Sequence, residues 1–262
     1  MTSAQQSSFA RIAGKRFLLT IQQIAVVIIV LLLWEYVLAP AIGEYWVSRP
    51  SRIAAELEQL ISSGALARHV YATLWAAFLG YVIGVAAAVA AAFIAATFPP
   101  TDRVAAPFMA AGYTFPKEAI APLFILFFGI GIGSKIAIAI AAVFFIVYPN
   151  ALSGAQEVNK DLINAFKVSG ANSWNLFTMA VAPSAAPWIF TGMRLSIRYA
   201  FTGVIFGEML SGNLGLGYLV KYSANMFNAS GAFAALSVVM VVGVLLTVAL
   251  ERIEGFANRW HR

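Results

Sequence analysis

Ionisable side chains inside long apolar stretches are where this sequence can do chemistry. Between Ala185 and Leu210, Thr191, Arg194, Arg198 and Thr202 fall within roughly 80° of one another on a 3.6-residue wheel. Glu208 lies about 40° from Arg194 and roughly 21 Å further along. Such a stripe reads either as a line of interhelical hydrogen bonds or as the lining of a polar pathway whose two arginines favour an anion. Glu208, near the far end, is placed to close a salt bridge in one state of a gate. A second charged spot, Lys117-Glu118, follows Pro116. It reads as a structural charge pair, as a helix interrupted at an aqueous edge, or as a pathway wall. The chain has no cysteine, which excludes thiol chemistry and thiolate metal sites. His69 and His261 lack metal-ligand spacing. Gly129-Ile130-Gly131-Ile132-Gly133-Ser134-Lys135 has a phosphate-loop look but lacks the G-K-[ST] ending. No nucleophile or metal constellation is visible, so no covalent chemistry is expected of this chain.

The elements that must hold these groups are set by composition. Of 262 residues, 61% are apolar and 11% charged, against roughly 25% charged in an ordinary soluble domain. Mean hydropathy is +0.83. A soluble fold of this length cannot hide so much apolar surface, and the long continuous apolar runs do not suit a β-barrel. The expectation is an all-α polytopic membrane protein embedded in the lipid bilayer. A spanning helix needs about 20 apolar residues, and six segments qualify: 17–38, 71–97, 104–128, 135–152, 185–210 and 231–250. The third is interrupted by Pro107, Pro116 and Pro122. The first also has features of a signal peptide but is longer than a usual apolar h-region, and it reads as an uncleaved span. Gly80-x3-Gly84, Gly129-x3-Gly133 and Gly203-x3-Gly207 read as helix-packing positions.

Arg11, Lys15 and Arg16 precede the first span, and Arg252, Arg259 and Arg262 follow the last. The positive-inside rule then puts the tails 1–16 and 251–262 and the loop 153–183 in the cytoplasm. Segments 39–68 and 211–229 face outward. The net charge of +6 is explained this way and needs no nucleic acid. In the outer segment Ser51 can cap an amphipathic helix whose Ile53, Leu57, Leu60 and Ile61 recur at helical spacing. It reads as a helix on the bilayer interface or a docking surface for an external partner.

The loop 153–183 has more structure than a linker needs. Residues 160–170 read as a short helix with Asp161 as N-cap and Gly170 as a left-handed stop. Leu162, Ala165, Phe166 and Ser169 share one face. Asn172 or Ser173 can cap a second short helix carrying Trp174, Leu176 and Phe177 that ends before Pro183. Helices this short are not stable alone, so the apolar face must press on the chain's own membrane base or on another protein.

Asn164-Ala165-Phe166…Gly170-Ala171-Asn172-Ser173-Trp174-Asn175-Leu176-Phe177…Pro183…Pro187…Gly192-Met193-Arg194 resembles the EAA-loop signature of ABC-importer permeases. Ser48-Arg49-Pro50-Ser51, Phe115-Pro116-Lys117…Ala121-Pro122-Leu123, Phe128-Gly129-Ile130-Gly131, Ser134-Lys135, Glu208-Met209-Leu210 and Gly215-Leu216-Gly217-Tyr218 extend the likeness over most of the chain. It is nearest to the nitrate/sulfonate/taurine branch. The resemblance implies a six-span, type I (MetI-like) permease that pairs with a second copy of itself. It implies docking by two ATPase subunits, which carry the ATP and Mg, and by an external solute-binding protein; no cofactor belongs to this chain. It gives residues 161–177, with Asp161, Leu162, Asn164, Ala165, Phe166, Ser169, Gly170, Trp174 and Phe177, the coupling role. The solute it implies is a small anion, although the branch includes importers of vitamin precursors. Two departures stand out: Asn164-Ala165-Phe166 replaces the usual Glu-Ala-Ala, removing a carboxylate and adding apolar area, and Ala76 stands where an Arg is frequent. The competing reading, an ion- or proton-driven carrier, needs intramembrane carboxylate relays, for which only Glu118 and Glu208 offer themselves.

Overall fold

The computed structural model describes residues 19–257, apart from the side chains of residues 99, 118, 160, 250, 251 and 253–257. The tail 1–16, the start of the first predicted span at 17–18, residues 258–262 and the Glu118 side chain lie outside the described residues. Among the described residues all regular structure is helical. The order is α1 (Leu19–Ile42), α2 (Pro50–Ser62), α3 (Ala65–Thr97), α4 (Pro99–Thr114), a 3₁₀ turn (Lys117–Ile120), α5 (Ala121–Phe128), α6 (Ile132–Gln156), α7 (Lys160–Val168), α8 (Ser173–Ser211), α9 (Leu216–Asn225) and α10 (Ala229–Ala257).

Five of these, α1, α3, α6, α8 and the 229–249 part of α10, are long and apolar enough to cross a bilayer. The predicted third span, 104–128, is not one helix. Phe115, which precedes Pro116, is extended (ψ 134°), as a residue before proline prefers. The chain passes through the 3₁₀ turn and restarts as α5 with Pro122 in its first turn. Neither α4 nor α5 alone reaches the roughly 20 residues that crossing requires. Helices cover the described parts of the other five predicted segments and mostly extend beyond them. Two π-helical turns, Trp34–Leu38 and Phe177–Val181, each end two residues before a proline, Pro40 and Pro183. The wider turn re-registers the hydrogen bonds where proline supplies no donor, so α8 runs on through Pro183 instead of starting after it.

The core is α6 clasped by α3 and α8. One face of α3 is a stripe of small residues, Ala77, Gly80, Gly84, Ala88, Ala92 and Ala95, all buried. A Cβ at Gly80 would run into the Ala139 Cβ, and one at Gly84 would lie 2.9 Å from the Val143 Cβ. From the other side a Cβ at Gly207 would lie 2.9 Å from the Ile138 Cδ1. The helices therefore approach nearly backbone to backbone, which maximises dispersion contact where lipid gives no hydrophobic drive. The Gly80/Gly84 and Gly203/Gly207 pairs do pack helices. Gly129 does not: its φ of +76° makes the turn between α5 and α6, and Gly133 contacts only Phe128.

The amphipathic α2 does not lie free on an interface. Its Leu57 and Leu60 join a cluster with Leu66 and Val70 of α3, Leu216, Leu219 and Val220 of α9, and Ala235 and Val238 of α10. Ser51 is not its cap. The helix begins at Pro50 after Arg49, and the Ser51 N–H and hydroxyl donate to the Glu35 carboxylate at 3.0 and 2.7 Å. That carboxylate from α1 thus sits at the positive end of α2.

Candidate functional site

The starts of α3 and α6 and the end of α8 meet at one end of the bundle, the far end. The ends of α3 and α6, the start of α8 and all of α7 lie at the other, the loop end.

At the loop end α7 is built as a separate short helix. Asn159, not Asp161, is its N-cap: the Asn159 Oδ1 accepts from the Asp161 N–H at 2.8 Å. Asp161 stands in the first turn, where a carboxylate favours the helix dipole. The other end closes in a Schellman arrangement. The Ala171 N–H donates to the Phe166 carbonyl and the Gly170 N–H to the Lys167 carbonyl, both at 3.0 Å. Gly170 has φ +80°, a conformation that an L side chain adopts only with strain. Asn172 then caps α8, its Oδ1 accepting from the Asn175 N–H at 2.8 Å. The second short helix predicted here is the first turn of α8, so Trp174 and Phe177 belong to a rod that runs unbroken to Ser211.

The apolar surface of this hairpin is open. Leu162 is 41% exposed, Val168 90% and Trp174 69%. Asn164, Ala165 and Ser169 are exposed as well. The predicted face splits: Phe166 turns inward with Ile163 and is half-buried, while Leu162, Ala165 and Ser169 face out. The anchor is Phe177, whose ring stacks on Trp174 (5.7 Å) and meets Phe93 of α3 edge-on (4.9 Å). Phe177 thus ties the base of α8 to the end of α3.

Midway along α8, Thr191, Arg194, Arg198 and Thr202 are all exposed on one side. Thr191 and Thr202 do not join the predicted line of interhelical hydrogen bonds. The Thr191 hydroxyl donates to the Pro187 carbonyl (2.9 Å) and that of Thr202 to the Arg198 carbonyl (3.0 Å), both in their own helix. Arg198 borders a groove of about 420 Å³ between α8 and α10, otherwise largely apolar, with Phe201, Met240 and Val244 in its walls. Arg198 stands roughly 20 Å from the Ser211 end of the helix, at a depth where an arginine facing lipid is costly. This face fits water or a protein partner, not lipid.

Lys117 folds back over the end of α4: its Nζ donates to the Tyr113 carbonyl at 2.6 Å and lies 5.5 Å from the Tyr113 ring centre. It closes off the last turn of that helix.

Glu208 is not a partner of the arginine stripe. It is fully buried at the far end, about 40° around α8 from Arg194. The Thr73 hydroxyl lies 2.9 Å from both carboxylate oxygens and donates to the carboxylate; the Gly217 N–H donates to Oε2 at 2.9 Å. Thr73 Oγ1 in turn accepts from the Leu216 N–H at 2.8 Å. Lys135, 6% exposed, donates to the Leu214 carbonyl at 2.9 Å, and its charge acts on Glu208. His69 Nδ1 lies 3.0 Å from both the N and the carbonyl oxygen of Gly215. Side chains from three long helices thus grip the backbone of four consecutive residues, 214–217. Gly215 (φ +122°) is required here twice, because its conformation is left-handed and a Cβ would run into the Glu208 carboxylate. Thr73 and His69 carry no sequence signal for this role. Lys135 does: it is a lone cation opening a long apolar helix.

Comparison with known proteins adds the following. Residues 80–255 match the family described as binding-protein-dependent transport system inner membrane component. The riboflavin transport system permease protein RibX of Chloroflexus aurantiacus is 33% identical over 80% of this chain and 79% of its own. The formylaminopyrimidine transport permease protein ThiX of Halalkalibacterium halodurans is 28% identical over 90% and 94%. The putative aliphatic sulfonates transport permease protein SsuC of Bacillus subtilis is 28% identical over 80% and 76%. Among solved structures, a chain of an amino acid ABC transporter determined with histidines superposes with a TM-score of 0.62 at 14% identity, covering 78% of this chain and 97% of that one. A chain of the inward-facing MetNI methionine ABC transporter gives 0.61 at 16% identity, covering 71% and 92%. These likenesses show a shared fold. With an all-helical bundle, a separately capped hairpin at one end and a match over residues 80–255, the chain belongs to the inner membrane components of binding-protein-dependent transport systems.

Proposed function

We propose that this chain is the membrane-spanning half of an ATP-driven importer that carries a small organic solute by alternating access. The observation that carries the reading is the open hairpin of α7 and the start of α8. Its apolar residues are exposed at the tip of a rod that reaches the far end of the bundle. Two ATPase subunits, which bind the ATP and Mg, dock on two such hairpins. Asp161, Leu162, Asn164, Ala165 and Ser169 make the contact, Gly170 sets the turn, and Phe166, Trp174 and Phe177 transmit the displacement. The loop end and both termini are cytoplasmic. A solute-binding protein delivers the solute at the far end.

A second copy of the chain completes the pathway. Arg194 and Arg198, exposed near mid-membrane, fit an aqueous cleft between two copies, and with Thr191 and Thr202 they favour an anion. Relatives named for aliphatic sulfonates and taurine fit that choice of solute, while those named for riboflavin and formylaminopyrimidine do not require it. Lys117 and Glu118 belong to the wall at the break between α4 and α5. Glu208, held by Thr73 and Gly217, fixes the far-end framework against which that wall moves.

The test is uptake into proteoliposomes containing the chain, its co-purifying ATPase and the solute-binding protein. Uptake that requires ATP and survives collapse of ion gradients supports the reading. Uptake driven by a pH gradient without ATPase overturns it.

A further inference from the structure

Just past the end of α1 and just before the start of α10 lies an exposed aromatic corner. Tyr45 and Trp46 follow Ile42, where α1 ends, and Met226 and Phe227 precede Ala229, where α10 begins. Trp46 is 71% exposed and Phe227 69%, with Tyr45 and Met226 open as well. The two arms form one surface: the Tyr45 ring stacks on that of Phe227 at 5.8 Å and meets that of Trp46 edge-on at 5.4 Å. Behind the rings the Ser48 and Ser230 hydroxyls lie 2.7 Å apart, and the Asn228 amide donates to Glu56 at 2.9 Å. Beside them Glu44 pairs with Arg49 and, at 2.7 Å, with the well exposed Arg52.

Phe227 is the independent observation. It stands one residue past the C-cap of α9, the position that glycine or asparagine usually takes. The turn is a full Schellman motif: the Phe227 N–H donates to the Ala224 carbonyl at 3.0 Å and the Asn228 N–H to the Ser223 carbonyl at 2.9 Å. Its φ is +55°, and among the described residues no other non-glycine residue has a positive φ. A bulky side chain is strained there. The bundle leaves the ring uncovered, so the contact that offsets this strain lies outside the chain.

Depth decides what that contact is. Residues 43–49 and 226–228 lie outside the helices, and irregular backbone exposed to lipid does not occur inside the hydrocarbon. In open water four large apolar side chains side by side would be a liability to association. The headgroup layer between those two media suits tyrosine and tryptophan, which have an apolar body and a polar tip, and it offers phosphate to an arginine.

We propose that this corner is an anchor in the phospholipid headgroup layer at the far-end membrane surface. Tyr45, Trp46, Met226 and Phe227 enter the top of the acyl region, with Arg52 beside the lipid phosphates. The anchor fixes in depth the corner where α1 meets α2 and α9 meets α10. It belongs to the chain alone and holds whether or not ATP drives transport.

Because the chain has no cysteine, Met226→Cys gives a single site for a nitroxide on the full-length chain in phosphatidylcholine nanodiscs. Its collision rates with oxygen and with a water-soluble nickel chelate are read against lipids labelled at the headgroup and high on the acyl chain. The expected depth lies between those two markers. Phe227→Gly removes the ring and suits the turn, so folded yield should be kept. With Trp46→Ala added, the same label should shift to the water side of the headgroup marker. A label already on the water side with every other residue natural overturns the proposal; if added solute-binding protein then immobilises it, the corner is a protein docking face instead. A label that keeps its depth in the variant lacking both rings, or loss of folded yield in Phe227→Gly, overturns it as well.

Discussion

Thr73→Val is the sharpest probe of the far-end framework. Valine keeps the shape and removes the hydroxyl. That hydroxyl donates to the Glu208 carboxylate at 2.9 Å and accepts from the Leu216 N–H at 2.8 Å. All three residues are fully buried. Losing a hydrogen bond to a charged group costs about 1.5–3 kcal/mol, and leaving a buried N–H without a partner about 1–3 kcal/mol more. The sum, about 2.5–6 kcal/mol, reaches the upper tail for a single substitution. For a chain of this size it lowers the melting temperature by roughly 10 °C. Thr202→Val is the internal control, since that exposed hydroxyl bonds only within its own helix, and it should cost under about 0.5 kcal/mol. The assay is thermal unfolding of both variants in the same nanodiscs, followed by tryptophan fluorescence. Equal melting of Thr73→Val and Thr202→Val would refute the view that residues 214–217 hang from Glu208 and Thr73.

Gly170→Ala places a Cβ in open space but at φ +80°, so its cost is backbone strain alone, about 1–2 kcal/mol. ATPase stimulation should fall while the melting temperature of the bundle barely moves, and Gly170→Asn should be milder. Gly80→Leu drives a side chain into the Ala139 backbone region; it should separate α3 from α6 and remove folded protein from membranes, as read by detergent-resistant yield. If the arginine face lines the pathway, Arg194→Ala and Arg198→Ala should each cut uptake of an anionic solute several-fold without changing protein level. Unchanged uptake in both would make the arginines structural.

The sequence was most legible where a local rule decides the outcome. Apolar length located α3, α6, α8 and α10, and small residues four apart located their contacts, because bilayer thickness and close approach act on short stretches. Gly170 and Asn172 were readable as helix punctuation for the same reason. Hydropathy failed at 104–128: composition there suits a span, but Pro116 and Pro122 stop the helix locally. Asp161 resembles a cap in the sequence because the true cap, Asn159, lies one residue before Lys160, outside the apolar pattern. Wheel geometry put Glu208 near Arg194, but forty degrees of helix separates an exposed face from a buried one. Its actual partners, Thr73, Lys135 and Gly217, come from segments up to 135 positions away, and no local period announces such pairings.

The central claim is that the hairpin of α7 and α8 is an open contact surface for an ATPase. Leu162→Asp tests it most directly, because Leu162 is already 41% exposed and touches little that folding needs. The measurement is ATPase recovered with the affinity-purified permease from membranes, scaled to permease yield. The account predicts an undiminished permease yield with the ATPase reduced at least about five-fold, the effect of losing somewhat over 1 kcal/mol of buried apolar contact. ATPase recovered in full with Leu162→Asp would contradict it.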